Sequence, residues 1–151
     1  LYSNNRRGGT AKNVHDMAAG WYGNDTTWRM VMDLNIITIF GREDGTISDQ
    51  PQRELYSLSD GIIGGQGNGP LDPIPLPLGI ISFSNCSELN DICMAILMSF
   101  DIKKIPLLEF AKNKIKQRDF YIDLNGKDIK FEDLRKISIV TMPPSGWKGY
   151  L

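Results

Sequence analysis

Residues 56–83, YSLSDGIIGGQGNGPLDPIPLPLGIISF, decide how the chain is read, because they hold two apolar runs with glycine- and proline-rich sequence between them. Leu55 to Gly64, with Tyr56, Leu58, Ile62 and Ile63, reads as a strand that enters a glycine-rich loop, Gly64-Gly65-Gln66-Gly67-Asn68-Gly69-Pro70. A proline-rich link, Pro70 to Pro77, follows. Gly79 to Phe83 is a short continuous apolar run, the pattern of a strand buried in a sheet covered on both faces. Cys86 to Phe100 then turns helical, with Leu89, Ile92, Cys93, Ile96 and Leu97 on one side. Strand, helix and strand in this order predict an α/β fold: a mixed, mainly parallel sheet with helices on both faces.

Upstream, Asn24 or Asp25 is placed to cap a helix whose apolar positions are Trp28, Val31, Met32, Ile36 and Ile39, with Gly41 ending it. Before it, Ala11 to Ala19 reads as a short helix. Downstream, Pro106 opens a helix through Lys116, since proline suits a first helical position. Phe120–Leu124 and Asp128–Phe131 pair as a C-terminal hairpin across Asn125-Gly126, a type I′ turn signal. Ile137 to Val140 reads as a last strand, halted by Pro143-Pro144. Residues 1–151 are expected to form a single domain, with 1–10 and 143–151 as flexible tails. The tail residues Trp147 and Tyr150 are then candidate interface anchors.

Composition limits the function classes. Seventeen basic against eighteen acidic side chains leave a net charge of −1, so no global field draws in nucleic acid or an anionic membrane. No apolar run reaches the ~18 residues of a membrane span. Two cysteines, Cys86 and Cys93, make neither a disulfide framework nor an iron–sulfur or zinc pattern. Reduced packing cysteines fit a cytoplasmic address. His15 is the only histidine, and it has no second histidine or carboxylate at ligand spacing, so no histidine-based metal site is expected. No nucleophile–base pair is visible, and the identity of any cofactor stays open.

The candidate site is polar. Gly65, Gln66, Gly67, Asn68 and Gly69 can turn several backbone amides toward an anion, although the loop lacks the lysine and hydroxyl of a nucleotide-binding loop. Asp60 stands at a strand end just before it, where open α/β sheets hold ligands. Asp25 and Arg29 share one helical face, and Asp91 lies early in the helix after the second strand. In the leading hypothesis, an enzyme or ligand binder, Arg29 pairs with a small anionic ligand and the loop amides cradle it. Asp60 or Asp91, the catalytic candidates, then orients a hydroxyl or metal. The rival is a non-catalytic docking module, completed by a missing N-terminal half or another subunit.

WYGNDTTWRMVMDLN (21–35), DGIIGGQGNGP (60–70) and the run from Asp91 to Pro106, with LMSFDIKKIP, resemble the domain-of-unknown-function 362 family. Asp25, Arg29, Asp60, Gly67, Asn68, Gly69, Pro70 and Asp91 match that family's motifs. Gln66 stands where the family commonly has an acidic residue, and Asn85-Cys86-Ser87 replaces its usual Asn/Asp-Pro. The resemblance implies that the chain is the C-terminal part of a longer protein, as does its start at Leu1 rather than Met. It implies no iron–sulfur cluster here, although some relatives carry one. The family's function being unassigned, it implies no reaction.

Overall fold

The computed structural model describes residues 27–116 and 118–147, which fall into two compact units divided after Leu55. The first unit is built on helix α1, Thr27–Phe40. Its last carbonyls lack helical partners, and Arg53 reaches back to supply donors, at 3.1 Å to the Thr38 oxygen and 2.8 Å to that of Gly41. Beyond Gly41 the chain turns sharply, pairing Gly41 with Ile47 in an antiparallel bridge. Ser48 is buried there, and its hydroxyl oxygen accepts from Arg42, from the Gln50 amide and from Gln52.

The second unit begins with four strands, β1 (Ser57–Gly61), β2 (Gly64–Asn68), β3 (Asp72–Leu76) and β4 (Ile80–Ser84). β1 pairs with β4 and β2 with β3, both antiparallel, so the four form one long ribbon folded back at Gly69-Pro70-Leu71. The ladders differ by one residue in register: Gly61 opposes Ile80, and Gly64 opposes Leu76. Two residues, Ile62 and Ile63, therefore face three, Pro77, Leu78 and Gly79. This is a β-bulge. Gly79 takes the left-handed conformation it requires (φ +67°), and its N–H donates to the Ile62 oxygen at 3.1 Å.

The expected mainly parallel sheet with helices on both faces is therefore corrected to small antiparallel two-stranded sheets. The reason lies in residues 70–77. Parallel neighbours need a crossover of a dozen or more residues, usually a helix. Prolines at 70, 73, 75 and 77 forbid a helix there, so the link runs extended and pairs with the glycine segment. The Gly79–Phe83 run is likewise not covered on both faces, since Ile81 and Phe83 are exposed.

Helices α2 (Ser87–Leu97), α3 (Pro106–Ile115) and α4 (Phe131–Lys136) supply the core. Ile92, Ile96, Ile102, Leu108, Ala111, Ile115 and Leu134 are buried together, with Ile92 fully enclosed. Strands β5 (Ile122–Asp123) and β6 (Asp128–Ile129) form a hairpin over Asn125 (φ 53°) and Gly126 (φ 83°). Ile122 and Ile129 from it pack against the helices. Residues 137–140 are not the expected strand, because no strand among the described residues pairs with them. The Ile139 N–H instead donates to the Leu97 carbonyl at the end of α2, at 2.7 Å.

Candidate functional site

The β1–β4 ribbon is patterned inside out. The side turned to α2 carries Ser57, Ser59, Gly61, Ile80, Ser82 and Ser84; the other carries Leu58, Asp60, Ile81 and Phe83. Antiparallel sheets ordinarily bury their apolar face and leave the polar one to water. What holds the polar face inward is Asn90, itself buried on α2. Its amide donates to the Ser59 hydroxyl at 2.8 Å, and its oxygen accepts from the Ser82 hydroxyl at 2.7 Å. One side chain thus bridges both strands, and a buried polar group so satisfied carries little desolvation penalty. Gly61 is buried beside it, where an added Cβ would touch the Met94 methyl at 3.7 Å.

The outward face is largely exposed. Leu58 is 72% exposed, Phe83 opposite it 69%, Ile81 65%, and Tyr56 just before β1 56%. Tyr56 and Phe83 stack, with ring centroids 5.6 Å apart and planes 10° from parallel. Four such side chains present about 500 Å² together, on the scale of the ~300–600 Å² patches that mark functional surfaces.

Asp60 shares this outward face and accepts the Ile62 N–H at 3.1 Å. Asp91 is on α2, the helix that packs on the opposite side of the ribbon, so the two carboxylates are not brought together. Burial by its neighbours, then the charge of Glu88, raises the Asp91 carboxyl above its ordinary value. Arg29 lies in the first unit, its guanidinium 4.3 Å over the Trp28 ring. Asp25, His15 and the Ala11–Ala19 helix lie outside the described residues.

Gly65 to Asn68 are not a loop but most of β2, and Gly69 begins the turn. Their polar groups hold a strap formed by residues 139–145. The Gly67 N–H (φ +79°) donates to the Met142 oxygen at 2.9 Å, and the Met142 N–H donates to Gln66 Oε1 at 2.8 Å. Asn68 Oδ1 accepts the Ser145 N–H at 2.8 Å. Thr141, buried, anchors the other end on the Met98 carbonyl. Because Gly67 turns its N–H away from β3, Pro73 opposite it lacks a donor only on the outer side of the ribbon, and no ladder bond is lost. A hollow of about 90 Å³ lies at this tip, among Gly67, Asn68, Asp72, Met142, Pro143 and Ser145.

At the start of α2, Glu88 is buried and its carboxylate meets Lys114 Nζ of α3 at 3.1 Å. Burial alone would raise its pKa, but its own backbone amide and Lys114 outweigh this and hold it below the ordinary glutamate value. Burial, then Cys86, pushes the Cys93 thiol up to about 11, and burial also raises Cys86. Neither is an activated nucleophile. Among the described residues, no group of three or more His, Cys, Asp or Glu side chains could hold a metal ion, and no helix is long and apolar enough to cross a membrane.

Sequence reading missed the ribbon face and the strap. The one signal for the face was the alternation of serines with Tyr56, Leu58 and Phe83, which marks two-sidedness without telling which side is inward. The chain matches no family model, no curated protein and no solved structure.

Proposed function

We propose that this chain works as a docking module, with the outward face of the β1–β4 ribbon as its contact surface. The observation that carries the reading is the inverted patterning: serines face the helices while Leu58, Ile81 and Phe83 face water. Leaving large apolar groups in water while polar ones are turned inward forgoes hydrophobic stabilisation, and a partner that covers the face recovers it. The rival anion cradle has less behind it. The Gly67 amide and the Gln66 and Asn68 side chains already bond the 139–145 strap, and Asp72 borders the hollow beside them.

Anilinonaphthalene sulfonate, whose emission rises on apolar surface, tests the reading on dilute folded chain. Emission well above a folded-protein baseline, lost in the double variant Leu58→Ser/Phe83→Ser, is expected. Baseline emission from the wild type would overturn it, since the face would then be covered within the chain itself.

A further inference from the structure

We infer that the occupant of this face is a second copy of the chain, docked ribbon to ribbon about a two-fold axis perpendicular to the strands. The inference rests on the docking reading above. Area argues for it first. Two faces of about 500 Å² each hide about 1,000 Å² in total, the lower bound for a specific interface, so a weak dimer is within reach of this patch alone.

Charge points the same way. The face carries one residue charged at neutral pH, Asp60, and no lysine or arginine, so it offers nothing to an anionic membrane or nucleic acid. A net charge of −1 leaves little repulsion between copies. Symmetry completes the case. Leu58 and Phe83 oppose each other at the second of the five ladder pairs, with Asp60 and Ile81 two residues to one side and Tyr56 two residues to the other. A two-fold through that pair sets Leu58 of each copy over Leu58 of the other, and Phe83 over Phe83. It also carries the two Asp60 carboxylates to opposite ends, so that neither meets the other. Two short sheets packed this way, about 10 Å apart, form a small sandwich.

Sedimentation equilibrium on the full chain, from about 1 to about 200 µM, the range of a micromolar dimer, tests this directly. The expected mass rises from 17.0 kDa toward twice that value, while dye emission per chain falls as the faces meet. Leu58→Asp and Leu58→Lys, each checked for a native circular-dichroism spectrum, should each stay at monomer mass. Mixed in equal amounts they should dimerise, because position 58 of one copy then meets position 58 of the other with opposite charge.

A wild type that stays at 17.0 kDa yet still binds dye would overturn the second copy and leave the docking reading standing. A wild type that is monomeric and dye-free would overturn both. A dimer that survives both single variants, or variants that fail to rescue each other, would overturn the proposed packing.

Discussion

Leu58 and Phe83 stand opposite one another across the β1–β4 ladder, and both point to water, while their neighbours Ser59 and Ser82 reach inward to the same asparagine. That one-residue alternation sets which face is free. Register sets it too: a slip of one position would turn the serines out and the apolar groups onto α2. Asn90 blocks the slip, because it would lose both hydroxyl partners.

Asn90→Leu removes that block. It leaves the Ser59 and Ser82 hydroxyls without their partner, which costs about 1–3 kcal/mol for buried polar groups. Urea unfolding should show the loss, and amide exchange in β1 and β4 should speed up more than in α3. Unchanged protection in both strands would mean that Asn90 does not fix the ribbon.

Gln66→Ala loses one bond to the strap, worth about 1 kcal/mol, and its effect should be local. Hydrogen exchange at the Met142 amide is expected to accelerate several-fold while the helices keep their protection.

The Glu88–Lys114 pair gives a pH dependence of definite sign. Glu88 is held below its ordinary value in the fold, so its stabilisation is complete above the unfolded value, about 4.3, and is lost as pH falls through the lower folded value. Asp91 is raised, so its ionisation opposes folding as pH climbs above about 3.9. Glu88→Gln should therefore flatten the acid limb of the stability curve, and Asp91→Asn should stabilise slightly at neutral pH. Lys114→Met strands the buried carboxylate. The loss should be about 1–3 kcal/mol, under the ~3–5 of a fully enclosed pair, because Lys114 is 26% exposed.

Both thiols are raised, Cys93 to about 11, so alkylation by iodoacetamide at pH 8 should be slow for each in the folded chain. It should reach the rate of a free thiol in urea. Rapid modification of Cys93 without denaturant would show that α2 opens readily.

How much of this was legible in the sequence differs from element to element. Helices α1 to α3 were, since Trp28, Met32 and Ile39 repeat at helical spacing and Pro106 sits at the first position of α3, whereas α4 begins at Phe131, read from the sequence as the end of a strand. So was the Asn125-Gly126 turn, because both residues tolerate positive φ. Strand direction was not. Two apolar runs flanking a long link read as parallel until the prolines at 73, 75 and 77 are weighed against a helical crossover. Nor was the facing of Ile81 and Phe83, which hangs on Asn90 meeting Ser59 from 31 residues away. The glycine run looked like a ligand loop because its true partner, Met142, is 76 residues beyond Gln66.

The most direct measurement compares unfolding free energies of Phe83→Ser and Ile92→Ala in dilute chain. If the ribbon face is a docking surface and not core, Phe83→Ser should cost under about 1 kcal/mol while Ile92→Ala, fully buried, costs about 2–5. A Phe83→Ser loss equal to that of Ile92→Ala would contradict the account, because the face would then be part of the chain's own core.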